Sequence, residues 1–288
     1  MEVLLLAPGS ATRVPVLTCA DALRTGASVT ILDLDSDAAV DAALERAGAD
    51  GARLVVAGGD GPLRAVLRRM VRRSLPRGGE RPADLPRDRT VPDLPPIGLL
   101  PVDPPAPADL VVRLGLPRTP AEVAAAVLGG ASRRLDLLRN DGGSVTLRSA
   151  LLGGVDAEGR AVPWAARIDV DDTPLSDGTE ALLACGVANA GGLDAVPGLT
   201  LVIDADPVDG VLEVGVAVPD PRRRRPGIDL GRKRPRIEVR RARGRAVSVS
   251  PVVTDIEVPL VDDGVTGTLT RKRTWWMEHK AWAAYCPQ

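Results

Sequence analysis

Leu54-Val55-Val56-Ala57-Gly58-Gly59-Asp60-Gly61-Pro62-Leu63-Arg64-Ala65-Val66 is the stretch that decides how the rest of this chain is read. It opens as a short apolar, β-branched run, the pattern of a buried strand in a parallel sheet. The run breaks at Gly58-Gly59-Asp60-Gly61, and apolar residues then recur at Leu63, Val66, Leu67 and Met70, a helical spacing. Pro62 suits the first helical position, with Gly61 or Asp60 as the cap before it. The spacing therefore predicts a strand, a glycine turn and a helix whose N-terminus faces whatever lies over the turn. Free N–H groups and partial positive charge gather there, and glycines admit a phosphate close to the backbone. The same pattern also describes a tight strand-to-helix turn with no ligand.

Outward from this stretch, Val3–Pro8 and Ser28–Leu34 read as strands and Ala38–Ala47 carries apolar residues at helical spacing. Strands alternating with helices predict a parallel sheet covered on both faces, with ligands at the carboxyl ends of its strands. Pro8-Gly9-Ser10 and Gly58–Gly61 both fall at such ends. Residues 76–95 are rich in Pro, Arg, Asp and Gly without periodicity, which predicts an exposed loop before the next strand, Pro96–Val102. Thr119-Pro120-Ala121-Glu122 has the form of a capping box and starts a helix running to Gly129 or Gly130. Strands dominate from there: Val145–Leu152, Ala165–Val170, Ala181–Ala188, Leu199–Ile203, Val211–Val218, Ile237–Arg241, Ala246–Val249 and Ile256–Leu260. Separated by Gly, Pro and Asp turns, they predict an antiparallel sandwich.

Composition excludes several classes of chemistry. The 288 residues suffice for two modest domains, and with aromatics at 2% and no Phe the cores must be built from Leu, Val, Ile and Ala. Cys19, Cys185 and Cys286 are odd in number and far apart, which argues against zinc and disulfide frameworks and fits a reducing cytoplasm. His279 is the only histidine, so a Ser-His-Asp triad or a histidine pair has little support. The Met1–Leu6 run, with an acid at position 2, is too short for a signal peptide or a membrane span.

Gly58-Gly59-Asp60-Gly61 also resembles the nucleotide-binding motif of the diacylglycerol kinase catalytic-domain family, which includes bacterial lipid kinases and sphingosine kinase-like proteins. The resemblance continues through Pro8-Gly9-Ser10, Pro96-Ile97-Gly98-Leu99-Leu100-Pro101, Asp109 with Leu114-Gly115-Leu116-Pro117, and Arg133-Arg134-Leu135-Asp136-Leu137. In the second half it covers Val187–Gly192, Ala205–Glu213, Asp263-Gly264 and the closing Arg271–Trp276 and Trp282–Cys286 stretches. It implies an α/β plus β fold: a Rossmann-like nucleotide-binding α/β domain over residues 1–135, an antiparallel β-sandwich domain over 136–288, and an active cleft between them. It implies an ATP- and Mg²⁺-dependent lipid kinase acting on a diacylglycerol-like lipid alcohol. Phosphates would lie over Gly58, Gly59, Asp60 and Gly61, with Pro8, Gly9, Ser10 and Asp109 beside them. Asp60 would help place Mg²⁺, and Asp263 would be the general base. The chain departs from the family pattern at Ala7 (usually Asn), Pro62 (usually Thr), Val102–Ala108 (usually a Gly-Thr-Gly-Asn turn) and Val265 (usually Glu). Prolines 104, 105 and 107 remove backbone donors that such a turn would offer. These losses motivate the alternative of a non-catalytic nucleotide- or lipid-binding protein of the same fold.

Two charged groups in the second half have open readings. Asp206, Asp209 and Glu213 suit either a hard cation, as the family resemblance implies for a structural Mg²⁺, or a solvated turn whose aspartates cap local backbone. Between Arg222 and Arg245, twelve Lys or Arg stand against Asp229 and Glu238, a local balance of +10 in a chain whose total is −1. That block suits either contact with the anionic inner face of a membrane or a solvated, Arg-rich strand edge. It lacks the aromatics that nucleic-acid binding would need.

Overall fold

The computed structural model describes residues 1–75, 85–106, 109–191, 194–196, 199–201, 204–219, 237–252 and 257–287. Its first half alternates as expected: β1 (Glu2–Leu6), α1 (Val14–Leu23), β2 (Ser28–Leu32), α2 (Asp37–Asp50), β3 (Arg53–Ala57), α3 (Asp60–Ser74), β4 (Pro96–Leu100), α4 (Leu110–Arg113) and α5 (Pro120–Gly129). Helix α1 is an element the alternation does not announce, although its buried Val16, Cys19, Ala20 and Leu23 keep helical spacing. Strands β2, β1, β3 and β4 pair in parallel in that order. Helices α2 and α3 cover one face through Val40, Ala43, Leu63, Val66 and Leu67, while α1 and α5 cover the other through Cys19, Leu23, Val123 and Val127. The capping box at α5 forms as read: Glu122 N–H donates to Thr119 Oγ1 at 3.3 Å, and Thr119 N–H to the Glu122 carboxylate at 3.0 Å. Thr119→Ala is expected to lower stability by about 1 kcal/mol, measured by urea unfolding.

The second half contributes β5 (Ser132–Asn140), β6 (Val145–Thr146), β7 (Ser149–Leu152), β8 (Ala166–Val170), β9 (Thr173–Asp177), β10 (Ala184–Ala188), β11 (Asp194–Val196) and β12 (Leu199–Leu201). Then follow β13 (Leu212–Pro219), β14 (Ile237–Gly244), β15 (Ala246–Pro251), β16 (Val258–Asp262), β17 (Val265–Leu269) and β18 (Arg273–Tyr285). Six of these form an all-antiparallel sheet in the order β14-β13-β10-β7-β16-β17. The opposing layer is not separate from the first half. Strand β18 pairs in parallel with β4 at Ala283 and Ala284 and antiparallel with β5 and β15, so one sheet of ten strands runs from β2 to β9. Leu152, Ile168, Val187, Val214, Val247, Val249 and Trp275 fill the space between the two sheets. Trp275 and Trp282 are buried packing residues; Trp276 sits under Arg139 and donates to Glu278. The stretch expected as one strand, Val145–Leu152, breaks at Leu147-Arg148 because the backbone there turns its N–H groups to a side chain described below. Among the described residues, no helix is long and apolar enough to cross a membrane.

Candidate functional site

The turn after β3 is shaped by one glycine above the others. Gly58 has φ +139°, and a Cβ there would lie 2.8 Å from Pro62 Cγ, so no L side chain fits. Its N–H donates to Leu100 O at 2.9 Å, tying the turn to the end of β4. Gly59 is the N-cap of α3, and Asp60 and Gly61 form its first turn. Their N–H groups precede the first intrahelical bond, made by Leu63 N to Gly59 O, and Pro62 has no N–H to offer. A Cβ added at Gly59 or Gly61 would meet only open space.

Gly58, Gly59 and Asp60, but not Gly61, line a cleft of about 270 Å³ that the Pro101–Ala106 segment after β4 closes from the other side. Three carboxylates line it: Asp60, Asp103 and Asp109. Asp60 accepts the N–H of Leu110 at 3.2 Å, which joins the first turn of α3 to α4. Asp109 stands at the N-cap position of α4, but its carboxylate accepts the N–H of Ala106 instead of a helix N–H. Pro8, Gly9 and Ser10 lie at the neighbouring strand end but do not line this cleft. Gly9 N–H donates to Asp33 at 2.7 Å, Ser10 is buried, and Arg13 just beyond them bridges to Asp103 at 2.6 Å.

The second half closes on the same corner through the β16–β17 turn. Asp263 there has φ +48° and a fully buried carboxylate. Its oxygens accept the N–H groups of Leu147 at 2.6 Å, Arg148 at 2.8 Å and Ser149 at 3.1 Å, which is why the strand is interrupted there. Asp262 accepts the Thr146 hydroxyl at 2.7 Å and pairs with Arg64 of α3 at 2.6 Å. Arg64 also donates to Val145 O at 2.7 Å and Ser144 Oγ at 2.9 Å. Arg148 reaches back from the second half to Asp60, Nε to Oδ2, at 3.7 Å. The structure therefore gathers Gly58, Gly59, Asp60 and Asp109 at one cleft, with Asp263 behind Asp60. Arg64 and Asp262 flank the Gly58–Gly61 and Asp263-Gly264 motifs, while Thr146 and Arg148 have no motif around them; only the fold brings the four to one corner.

Burial raises the Asp60 carboxyl to about 6, with the charges of Asp263 and Asp109 adding and the Leu110 N–H and Arg148 opposing. Burial and the adjacent Asp262 raise Asp263 to about 6 as well, against the N–H groups of Leu147 and Arg148. A folded-state value above the unfolded one means that stability present at acidic pH is lost as pH rises through about 6. At roughly 1.4 kcal/mol per unit, ionised Asp60 weakens the fold by on the order of 2–3 kcal/mol. Asp60→Asn is therefore expected to be more stable than the parent at pH 8, with the difference closing towards pH 4. Paired thermal melts across that range check it.

These residues fit a phosphate chain held with Mg²⁺. Mg²⁺ usually takes one or two carboxylates together with substrate phosphates, and Asp60 and Asp109 face the cleft beside two free helix-start N–H groups. Asp206 and Asp209 are engaged within the protein. Each caps its own turn, accepting Val208 N–H at 3.1 Å and Val211 N–H at 3.0 Å, and the guanidinium of Arg243 lies between Asp209 and Glu213. Among the described residues, no group of three His, Cys, Asp or Glu could hold a metal. Residues 222–236 of the basic block lie outside the described residues. Within the rest, Arg240 pairs with Glu180 and Glu238, Arg243 with Asp209 and Glu213, and Arg245 with Asp88.

Residues 10–140 match the family model of the diacylglycerol kinase catalytic domain. No curated protein sequence matches the chain. A crystal structure from Bacillus anthracis str. Sterne, assigned as a diacylglycerol kinase, is similar with a TM-score of 0.68 at 13% identity, covering 99% of this chain and 97% of that one. Another structure from the same organism, described as a diacylglycerol kinase, gives a TM-score of 0.65 at 13% identity over the same shares. At such identity the likeness is one of fold.

Proposed function

We propose, from the membership of residues 10–140 in the diacylglycerol kinase catalytic domain family, that this chain binds Mg²⁺-ATP and transfers its terminal phosphoryl group to the hydroxyl of a diacylglycerol-like lipid. The observation that carries the reading is the cleft where the Gly58-Gly59 turn and the start of α3 meet the carboxylates of Asp60 and Asp109. Mg²⁺ there would neutralise charge on the transferring group. Gly59, Asp60 and Gly61 would hold phosphate oxygens with backbone N–H groups, and Pro8, Gly9 and Ser10 would flank the nucleotide. Asp109 would orient the metal.

The lipid hydroxyl must lose a proton as its oxygen attacks phosphorus and ADP leaves. Asp60 lies in the cleft and suits that task in this proposal, with the metal left to Asp109. Asp263, fully buried and already accepting three N–H groups, enters this proposal as a group that positions Leu147–Ser149 rather than as the proton acceptor. Its occupied carboxylate, together with Pro62 in the first turn of α3 and Pro104 at the cleft, supports a second reading: nucleotide binding without transfer. Membrane contact through Arg222–Arg245, at the inner face of a cytoplasmic membrane, is part of the proposal because the acceptor is a lipid.

Calorimetric titration with Mg²⁺-ATP, followed by a transfer assay to diacylglycerol in mixed micelles, tests both readings. Saturable binding in the micromolar to low-millimolar range, with transfer abolished in Asp60→Asn, is expected. Binding without transfer to any lipid alcohol selects the second reading, and no binding at high ATP overturns both.

A further inference from the structure

A second cavity, of about 610 Å³, opens at the other end of β3 from the glycine turn. Leu44 and Ala47 of α2, Leu54 of β3, Met70 of α3, and Leu94 and Pro96 at the entry to β4 form its apolar walls. It shares no lining residue with the cleft at Gly58–Asp60. Small-molecule sites of about 300–1,000 Å³ combine apolar walls of this kind with a few placed polar groups.

One polar group here has no partner. Tyr285, the last residue of β18, lines the cavity and is only 7% exposed. Its ring lies under the Arg53 guanidinium at 5.6 Å, yet its hydroxyl makes no hydrogen bond with the described residues. A tyrosine hydroxyl on so covered a ring ordinarily finds a partner within the protein. Burial raises its pKa, so it stands at neutral pH as a neutral O–H donor. The charges on the lining lean positive. Arg53 directs its donors to Val127 O and Leu128 O, and pairs with no carboxylate among the described residues. Arg73 is 39% exposed and stands 4.0 Å from Glu45, the outer limit of an ion pair. Asp93, the one carboxylate on the lining, is already held by Arg89 at 2.5 Å and Arg134 at 3.1 Å.

We propose that this cavity binds a single-chain carboxylic acid amphiphile. The apolar chain lies against Leu44, Leu54 and Met70, and the carboxylate accepts the Tyr285 hydroxyl in the field of Arg53 and Arg73. The site is separate from the nucleotide reading and does not depend on it.

Tyr285 is the only tyrosine in the chain, so ring-labelled tyrosine gives a signal that reports on this site alone. Titration of the labelled parent with decanoate, followed by NMR, is expected to shift that signal saturably, with decanol binding at least threefold more weakly. Gly48 lines the cavity in the last turn of α2, and a Cβ there meets nothing within 4 Å. Gly48→Leu therefore fills open volume without displacing a neighbour, and is expected to fold as the parent does while weakening decanoate binding at least tenfold. Tyr285→Phe, followed by calorimetry, is expected to bind about threefold to tenfold more weakly, the worth of one hydrogen bond. No saturable shift in the parent overturns the proposal, and so does binding that Gly48→Leu leaves unchanged. Decanol binding as tightly as decanoate overturns the carboxylate assignment.

Discussion

Arg64→Met is expected to lower stability by about 3–5 kcal/mol, the cost of leaving one member of a buried ion pair without its partner. The Arg64 side chain is 12% exposed and that of Asp262 is 6% exposed, at a separation of 2.6 Å. The same guanidinium satisfies Val145 O and Ser144 Oγ, so one substitution leaves a carboxylate, a carbonyl and a hydroxyl to be paired again. Adding Asp262→Asn should recover part of the loss, because an amide is far less expensive to leave there than a charge. Urea unfolding of the two single variants and the double variant, read as a cycle, isolates the pair. A loss below about 1 kcal/mol in Arg64→Met would mean that α3 is held against the β5–β7 region by apolar packing alone.

Asp263→Ala is expected to cost about 3 kcal/mol or more. Three buried N–H groups, from Leu147, Arg148 and Ser149, would lose one shared acceptor. Asp263→Asn keeps one carbonyl oxygen and tolerates the left-handed backbone at φ +48°, so it should lose roughly half as much. Hydrogen exchange at the amides of residues 147–149 reports on the mechanism directly. Strong protection in the parent should vanish in Asp263→Ala and survive in part in Asp263→Asn. Unchanged protection in Asp263→Ala would show that these amides have another acceptor. Turnover measured on either variant has to be normalised to the folded fraction before the residue is given a chemical role.

The alternation of short apolar runs with helical spacings was enough to read the first half, because each strand and helix there buries a local pattern of side chains. Strand β3, the Gly58–Gly61 turn and the capping box of α5 could be placed to within a residue or two. Helix α1 was harder, since Val14 and Leu17 are exposed and blur its apolar face. The second half yielded its antiparallel strands but not their layering. Nothing local distinguishes a strand of the six-stranded sheet from one that extends the N-terminal sheet, as β18 and β15 do. At the site, the glycine turn was visible because glycine at a positive φ leaves a sequence signature. The partners of Arg64 and Arg148 left none. Each arginine is one among 37 basic residues, and only long-range folding sets one beside Asp262 and the other beside Asp60. Asp209 shows the converse, a suggestive acidic spacing in which the carboxylate pairs with Arg243 from a distant strand.

Strand β18 also bears on the order in which this chain can assemble. Its Ala283 and Ala284 supply the neighbour that β4 otherwise lacks, yet they are translated after every other strand described here. As the polypeptide emerges from the ribosome, the N-terminal sheet must wait with β4 as a bare edge, open to pairing with another nascent chain. Such a closure joins Pro96 to Ala283, 187 positions apart in a chain of 288, a topology that makes folding slow and late rather than stepwise from the first half.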